Sequence, residues 1–276
     1  MTSSAAAQPT ELGGLLRHWR SLRGKSQLDL SLDLGASQRH LSFIESGRSR
    51  PSRRKLIDIA DALDIPLRER NTLLLAAGYA PIYADAAWDA PETQPVTAAL
   101  QRMLRQQEPF PAVVMDRYWN VVMTNEAAPR FFGAFVDLEA RPRPRNLLHL
   151  MFDPAGMRPH LADWPATAQS LLARVRREAV GRVVDDRTKA LLDELLAYPD
   201  VEPPAMPTAA AASPIVPLRF VRDGGTLDYF SMISTVGAPQ TIATQELRLE
   251  CLFPANEATE RRHLILMEHL AAPVHH

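Results

Sequence analysis

The sequence predicts a two-domain protein: an all-α N-terminal domain, then an α+β domain built on a single antiparallel sheet. The chain of 276 residues is long enough for both domains. Residues 26–51 have the pattern of two short helices joined by a tight turn and followed by a basic loop. Residues 80–94 are rich in Ala, Asp and Pro, as linkers are. Beyond them, residues 110–123 and 246–253 have apolar patterns typical of strands.

The helix-turn-helix stretch has helix-ending signals at the required positions. Ser26 can cap the first helix, with Asp29 at the reciprocal position of a capping box. Gly35 follows the last apolar residue, where a chain that leaves a helix adopts a left-handed conformation. Ser37 can cap the second helix, and Gly47 can end it. Proteins with this arrangement place the second helix in the major groove, so the pattern predicts double-stranded DNA as a partner.

The outer face of the second helix carries residues suited to base edges. Glutamine pairs with adenine and arginine with guanine in the major groove, so Gln38 and Arg39 are predicted to contact bases. Arg48 and Arg50 lie in the basic loop and are predicted to contact phosphates, which position a protein without specifying a sequence. Polar helix faces and basic loops are usually only solvated. Here the caps, the spacing and the charge together favour DNA binding over that alternative.

Residues 12–79 resemble the helix-turn-helix domain of the XRE family, that of the lambdoid phage repressors and Cro proteins. The matching residues are Ser26-Gln27, Gly35, Ser37-Gln38, Leu41, Ile44-Glu45, Gly47 and Arg50-Pro51. The resemblance implies a five-helix, lambda-repressor-like DNA-binding domain. Its helices would lie near residues 12–23, 27–34, 38–46, 53–63 and 67–77.

The resemblance also implies roles for single residues. Gln27 and Ser46 match phosphate contacts, and Gln38 and Arg39 match base contacts. Arg20 and Glu45 match a partly buried ion pair that ties the first helix to the third. Phe43 replaces a residue that is often polar, and packing is favoured over contact with a thymine methyl group. The predicted DNA-contacting residues are Gln27, Ser37, Gln38, Arg39, His40, Ser42, Ser46, Arg48 and Arg50.

Composition fits a DNA-binding protein of the cytoplasm. Residues 12–79 carry 12 Arg and Lys against 7 Asp and Glu, whereas residues 80–276 carry 19 against 24. A basic head on an acidic body suits a protein that binds DNA through one domain. No apolar run approaches the ~20 residues that span a bilayer, and residues 1–8 lack the features of a signal peptide. The single cysteine fits a reducing compartment, so we expect a bacterial, nucleoid-associated protein without membrane contact.

The second domain has the pattern of about five strands with intervening helices. Residues 110–123 contain two apolar runs split by residues 116–120, which predicts a hairpin. A second hairpin is predicted from residues 216–221 and 227–235, around an Arg-Asp-Gly-Gly turn. The last strand places Leu247, Leu249, Cys251 and Phe253 on an inward face, and Arg248 and Glu250 on the other. These strands fit one antiparallel sheet covered on one side, with helices predicted from residue 95, after residue 124, and over 162–180 and 188–198.

Residues 108–262 also resemble a known domain. Residues 110–133 are similar to the opening of a PAS-type sensor domain. Residues 146–152, the Trp164 helix, residues 217–220 and residues 245–255 match the ligand-binding domain of MmyB-like transcription regulators more closely. The resemblance implies a PAS-like fold with a central pocket for a small apolar ligand that is similar to a fatty acid. The predicted divisions are a disordered N-terminus at 1–11, the DNA-binding domain at 12–79, a linker at 80–94, the ligand-binding domain at 95–265 and a tail at 266–276.

Candidate ligand contacts are large apolar side chains with a few polar groups, the usual lining of a pocket. Protein cores have the same composition, so each residue has a core role as its alternative. Asn125 and His149 are candidate polar anchors, and their alternatives are a helix N-cap and a satisfied, half-buried imidazole. The predicted ligand-binding residues are Trp119, Met123, Asn125, Phe131, Phe132, His149, Met151 and Trp164.

No catalytic or metal-binding constellation is evident in the sequence. The histidines have no ligand spacing with Cys251, and a buried apolar thiol is inert unless its pKa is lowered. We therefore expect no enzymatic activity, metal or cofactor. Three functions remain open: a ligand-responsive transcription regulator, a phage-type repressor or antitoxin whose second domain serves only protein contacts, and an enzyme with a DNA-targeting head, which ranks last. A homodimer is expected because one helix-turn-helix buries too little surface for tight specific binding.

Overall fold

The computed structural model describes residues 11–177, 179, 185–203 and 218–271, which divide into two compact units. The first unit runs to Ala86 and also contains the separate segment Pro239–Gln245. The second unit contains residues 87–238 and the chain from Glu246 onward. The chain therefore divides within the predicted linker, and the predicted disordered N-terminus lies outside the described residues except for Glu11.

Five helices form the body of the first unit, as predicted, and their ends lie within one residue of the predicted ends. Ser26 and Asp29 form the predicted capping box at the second helix, with the Ser26 Oγ accepting from the Asp29 N–H at 3.1 Å. Gly35 has φ +56°, the left-handed conformation that the turn requires. Leu16, Leu30 and other apolar residues of the inward faces are buried. The helices are α1 (Glu11–Leu22), α2 (Gln27–Asp33), α3 (Gln38–Glu45), α4 (Arg53–Ala62) and α5 (Leu67–Ala76).

The first half of the predicted linker belongs to the first unit because α5 binds its backbone. The Asn71 side chain donates to the Tyr83 carbonyl at 2.8 Å and accepts from the N–H groups of Ile82 and Tyr83. Arg68 makes two hydrogen bonds, of 2.7 and 2.9 Å, to the carboxylate of Asp85. Residues 82–85 are thus held against α5, although their composition is that of a linker.

The segment Pro239–Gln245 completes the first unit. The N-terminus of α5 has no side-chain cap from Pro66, and instead the Leu67 N–H donates to Gln245 Oε1 at 2.8 Å. The Ile242 N–H donates to the Ala84 carbonyl at 3.0 Å, and the Ile242 side chain is buried. No sequence pattern predicted this segment as part of the N-terminal unit.

The second unit contains a five-stranded antiparallel sheet with the order β2-β1-β5-β4-β3. Both predicted hairpins are confirmed: β1 pairs with β2, and β3 with β4. The final strand lies at the centre of the sheet, between β1 and β4. The strands are β1 (Ala112–Met115), β2 (Val121–Thr124), β3 (Leu218–Arg222), β4 (Gly225–Thr235) and β5 (Arg248–Pro254); Val216 and Pro217 of the predicted second hairpin lie outside the described residues.

Helices cover both faces of this sheet, whereas the sequence predicted cover on one side. The larger apolar core lies on the face of Val113, Met115 and Leu252. A smaller core containing Val114 and Leu249 packs on the opposite face with the helix that opens the unit. The helices of this unit are α6 (Gln94–Gln106), α7 (Ala127–Gly133), α8 (Leu147–Phe152), α9 (Trp164–Arg177), α10 (Asp186–Leu196) and α12 (Glu257–Ala271). The helix α11 (Ile242–Glu246) belongs to the first unit except for Glu246.

Two predictions change with this arrangement. Arg248 and Glu250 point to the larger core, so the face predicted as outward is the more heavily covered one. Cys251 packs with the smaller core and is half-buried. Residues 266–271 of the predicted tail belong to α12, because the apolar stripe of that helix continues to the buried Met267, and the rest of the tail lies outside the described residues.

Candidate nucleic-acid interface and ligand cavity

The N-terminal end of α3 is exposed, as the DNA-binding prediction requires. Leu41 and Ile44 are buried and fix the inner face of the helix. Gln38, Arg39 and His40 are exposed on its first turn. Ser37 is also exposed, and its Oγ accepts from the His40 N–H at 3.2 Å, so this predicted contact residue acts as the helix cap. Ser42 follows on the same helix and is half-buried.

A buried carboxylate fixes the orientation of α3. Glu45 is almost completely buried, and its two oxygens accept from Arg20 Nε at 2.8 Å and Nη2 at 3.1 Å. The predicted ion pair between α1 and α3 is therefore confirmed. The bond to Glu45 raises the pKa of the Arg20 guanidinium. Arg17 donates to the Glu45 carbonyl and Gln27 Nε2 donates to Glu45 Oε2 at 2.8 Å, so the predicted phosphate contact Gln27 also braces α3.

Aromatic rings position the basic side chains around α3. The guanidinium carbons of Arg39 and Arg48 lie 5.3 and 5.9 Å from the centre of the Phe43 ring. Cation–π contacts of this kind are worth about 0.5–1 kcal/mol at exposed sites. Phe43, for which packing was predicted, is half-buried and holds the two arginines at the exposed surface. Ser46, another predicted contact, is half-buried, and its Oγ donates to the Phe43 carbonyl at 3.3 Å.

Tyr79 has the same role for a second pair of arginines. The guanidinium carbons of Arg50 and Arg53 lie 4.9 and 5.6 Å from its ring centre. Its hydroxyl donates to the Pro51 carbonyl at 3.0 Å, which fixes the ring against the loop. The sequence analysis identified Arg50 but neither Tyr79 nor Arg53. No local pattern linked Tyr79, which follows α5, to a loop 28 positions earlier.

Half of the predicted ligand-binding residues lie in the larger core of the second unit. Phe131, Phe132 and Met151 are buried there with Trp119. Trp119 has φ +68°, an uncommon conformation for a bulky residue. The turn that holds it is closed by three hydrogen bonds to the carboxylate of Asp116.

Two arginines lie over the ring of Trp119. The guanidinium carbons of Arg174 and Arg248 are 4.8 and 4.7 Å from the ring centre. Arg174 Nη1 donates to Glu250 Oε1 at 2.8 Å, and both side chains of this ion pair are buried. Arg248 Nη2 donates to the carbonyl of Asp116 at 3.2 Å. Sequence analysis placed no charge in this core because alternation along β5 suggested solvent for Arg248 and Glu250.

A small cavity of about 20 Å³ lies beside Glu250. Phe132 and Met151 line it, together with apolar residues of β1, α8 and β5. Glu250 Oε2 is buried and has no hydrogen-bond partner among the described residues. This volume is about what a single water molecule needs. The core therefore contains an apolar cavity with one unsatisfied acceptor on its wall.

A second group of buried charges lies at the start of α10. Arg117 makes ion pairs of 2.9 Å with Glu246 and 3.0 Å with Asp185. The hydroxyl of Tyr118 donates to Asp185 at 2.9 Å, and burial raises the pKa of Tyr118 to about 12. Burial opposes ionisation of Asp185, but hydrogen bonds from Thr188 and the charge of Arg117 outweigh it and lower the Asp185 pKa.

The remaining predicted ligand-binding residues lie away from the core cavity. Asn125 Oδ1 accepts from the N–H groups of Ala112 and Ala128 at 3.0 and 3.1 Å, so its bonds are those of a structural cap. Met123 packs on the opposite face of the sheet, against the smaller core. Trp164 is half-buried and packs edge-on against Phe152 at 5.0 Å between ring centres.

His149 lines a separate cavity of about 300 Å³. Its ring nitrogens lie 3.1 Å from the Tyr198 hydroxyl and 3.2 Å from Glu194 Oε2. Both partners belong to or follow α10. The structure thus gives His149 the satisfied, half-buried surroundings that were its alternative to an anchor in the core.

A buried histidine, His263, joins α12 to the sheet. His263 is fully buried, with Nε2 2.9 Å from the Pro109 carbonyl and Nδ1 2.7 Å from the Tyr229 hydroxyl. Since the carbonyl can only accept, Nε2 carries the proton and Tyr229 donates to Nδ1. Burial lowers the pKa of His263 and raises that of Tyr229.

Metal binding, thiol reactivity and membrane crossing were also considered for the described part of the chain. No group of three His, Cys, Asp or Glu side chains there could hold a metal ion. Burial, with the nearby charge of Glu250, raises the pKa of the Cys251 thiol. None of the helices described is both long enough and apolar enough to cross a membrane.

Two family models match different parts of the chain. Residues 16–70 match a helix-turn-helix family, and this fold and its exposed α3 define the class of DNA-binding transcription regulators. Residues 96–265 match the MmyB-like transcription regulator ligand binding domain. This match covers more than half of the chain, which therefore belongs to the MmyB-like family.

Two further comparisons add no functional argument. No curated protein matches the chain. Among solved structures, an RNA-binding light-oxygen-voltage receptor matches at 16% sequence identity with a TM-score of 0.27. That match covers 97% of this chain and 65% of the receptor chain, so this chain spans less than two thirds of the receptor's length.

Proposed function

We propose that this transcription regulator recognises its operator as a homodimer through α3, and that a small apolar ligand in the second unit modulates its DNA binding. The main support for DNA recognition is that Gln38 and Arg39 are exposed on α3, a helix whose inner face is buried and held in place by the bonds of Glu45. A braced helix holds these two side chains in a constant orientation. Base-edge hydrogen bonds need that constancy, because bidentate pairing is directional.

The arginines around Phe43 and Tyr79 are proposed to have two roles. Arg39 lies on the first helical turn and contacts a base, whereas Arg48 and Arg50 lie in the loop and contact phosphates. Gln27, Ser37, His40, Ser42 and Ser46 border the same surface and complete the contacts. A homodimer follows from the size of the interface, since a single module of this kind supports only weak specific binding and two half-sites support tight binding.

Two arginine variants test this division on a DNA selected from a random pool by the wild-type protein. Arg39→Ala is expected to lose about 1–3 kcal/mol on the selected DNA and much less on random DNA, with relaxed preference at one base pair. Arg48→Ala is expected to weaken both DNAs equally and to reduce the salt dependence by about one phosphate contact. Fluorescence anisotropy across a salt series measures both effects.

Arg102→Ala is the matched control for these variants. Arg102 is exposed on α6, in the other unit, and its substitution should leave both affinities unchanged. Equal losses on selected and random DNA for Arg39→Ala would contradict base contact by Arg39. The stoichiometry of the complex, measured by native mass spectrometry, should be two chains per DNA.

The ligand half of the proposal is supported by the family of the second unit and by its core cavity. Ligand pockets are concave and mostly apolar with a few polar groups, and the cavity near Phe132 and Met151 has one such group, Glu250. Native mass spectrometry of the purified protein should show a bound small molecule. Removing that molecule should change the affinity for the selected DNA by a factor of about 5–150, the usual range of allosteric coupling.

A further inference from the structure

We infer that the ligand of the core cavity ends in an uncharged hydrogen-bond donor, such as an alcohol, that binds Glu250 Oε2. The inference rests on the proposed function, because it names the chemical class of the ligand at that site. It depends on three observations: the unpartnered oxygen, the charges around it and the lining of the cavity.

The oxygen comes first. Glu250 is 3% exposed, and its Oε1 accepts from Arg174 at 2.8 Å, while its Oε2 has no hydrogen-bond partner within the part of the chain that the structure describes. A buried carboxylate oxygen without a hydrogen bond is costly, so such atoms in native proteins usually mark a bound water, an ion or a functional role. An oxygen of this kind only accepts. Its missing partner must therefore donate a hydrogen bond.

The surrounding charges select an uncharged donor. The described residues of this region contain three buried arginines, at positions 117, 174 and 248, and three carboxylates, Asp185, Glu246 and Glu250. Formal charges in this group balance. A carboxylate head placed beside Glu250 would meet a like charge. An ammonium head would add a net positive charge to a core that already holds the guanidinium groups of Arg174 and Arg248, and excess buried charge is expensive. A hydroxyl group donates to Oε2 at no cost in net charge.

The rest of the lining selects an apolar body. Val113, Phe132, Leu147, Met151 and Leu252 face the cavity around Glu250. Its volume of about 20 Å³ holds no more than a water molecule, so a ligand has to displace side chains. Met151 is the most adaptable of them, because methionine is unbranched and repacks readily. The ligand therefore combines an alkyl body, accommodated by movement of Met151, with a donor group at Glu250.

Three eight-carbon probes that differ only in their head group test this inference on the full-length protein freed of bound molecules. At pH 7, 1-octanol is neutral, octanoate is anionic and octylamine is cationic. Isothermal titration calorimetry should show 1-octanol binding at least tenfold more tightly than either of the others. Tighter or equal binding of octanoate would overturn the inference and would still support a ligand site in the second unit.

Substitution of Glu250 locates the selectivity. Glu250→Gln can keep an acceptor toward Arg174 and turn its NH₂ group toward the cavity, so the preference for 1-octanol over octanoate should fall at least tenfold. Glu246→Gln is the matched control, since Glu246 belongs to the same group of charges but does not line the cavity, and its preference should remain. Circular dichroism checks that both variants fold, and the wild-type comparison of head groups stands without them.

The remaining outcomes are also decisive. An unchanged preference in Glu250→Gln would mean that Oε2 serves only a structural water, and the inference would be wrong. Failure of all three probes to bind, together with the absence of any co-purified small molecule, would count against the ligand-binding function itself.

Discussion

Two buried glutamates, one in each unit, contrast in how completely they are bonded. Both carboxylate oxygens of Glu45 in the first unit are hydrogen-bonded, with Arg20 on both oxygens and Gln27 on one of them. Glu250 in the second unit lines a cavity and has Arg174 on one oxygen, while the other oxygen has no partner in the described ranges. The residue type and the burial are the same, and the difference lies in the last hydrogen bond.

This contrast distinguishes a carboxylate with a structural role from one that can bind a ligand. A buried carboxylate with both oxygens hydrogen-bonded to neighbouring helices, like that of Glu45, fixes those helices. A buried carboxylate oxygen without a hydrogen bond costs stability, so its presence in a native core calls for an explanation such as a bound water or a ligand. Under the proposed function, the first unit contacts DNA through the exposed α3, whereas the second unit binds its ligand within the core.

The largest expected effect is the loss of the brace in Glu45→Gln. The change removes the charge that compensates Arg20 and places an NH₂ group among N–H donors. Breaking a buried pair costs about 3–5 kcal/mol. Hydrogen exchange followed by mass spectrometry, resolved over residues 11–86, measures the loss of stability in the first unit.

Glu250→Gln supplies the comparison for this variant. It also removes the charge that compensates a buried arginine, Arg174. It keeps an acceptor for Arg174 and alters an oxygen without a partner among the described residues, so its cost in the second unit should be smaller than that of Glu45→Gln, which also loses a bonded oxygen. Equal losses in the two units would show that the two glutamates are braces of the same kind, and the distinction drawn between them would fail.

Acidification is expected to affect the two units at different pH. Burial lowers the pKa of His263 from its ordinary value of 6.5, so below pH 6.5 the unfolded chain binds a proton that the folded second unit does not. The free energy of unfolding of the second unit therefore decreases as the pH is lowered, by at most about 1.4 kcal/mol per pH unit for one proton. In the first unit, hydrogen bonds with Ser26 lower the pKa of Asp29 from 3.8, and that contribution is lost only as the pH falls below this value.

Exchange measured unit by unit between pH 7.5 and 5 tests this difference. The second unit should lose protection and the first should retain it. His263→Gln should remove most of the slope in the second unit, because glutamine does not titrate. A slope that persists in this variant would assign the pH dependence to another group.

The smallest expected effect is that of Gln27→Ala, which leaves the Glu45 carboxylate with one hydrogen bond fewer and so makes it more like that of Glu250. One hydrogen bond to Glu45 Oε2 is lost while Arg20 remains, so the expected cost is about 0.5–1.5 kcal/mol. If Gln27 also contacts a phosphate, the variant should lose affinity for operator DNA and for random DNA to the same extent. Unchanged affinity for both DNAs would leave Gln27 with the bracing role alone.

The sequence predicted the first unit in more detail than the second for a physical reason. Caps such as Ser26 and Ser37 act within four residues, so helix ends and the exposed face of α3 follow from local pattern. The cavity instead depends on which strand becomes central and on which of its faces is more deeply covered. Alternation along β5 separated Glu250 from Cys251 correctly, but alternation does not tell which face lies against the larger core.

The same limit explains the predicted ligand residues. Phe132 and Met151 were identified by size and lie at the cavity, whereas Met123, equally apolar, lies on the other face of the sheet. The polar group of the cavity was missed because a charged residue on a strand is usually solvent-exposed. Asn125 and His149 were noticed as polar residues, but their hydrogen bonds are completed elsewhere.

The position of Pro239–Gln245 has a consequence for how the protein is made. Gln245 supplies the acceptor at the start of α5, and Ile242 fills a buried place in the first unit. During translation the N-terminal helices leave the ribosome long before these residues do, so the helices wait for their final contacts until most of the polypeptide has been synthesised. A shortened gene product that stops in the linker would lack this heptapeptide, and supplying it as a fused or added peptide should restore the missing contacts.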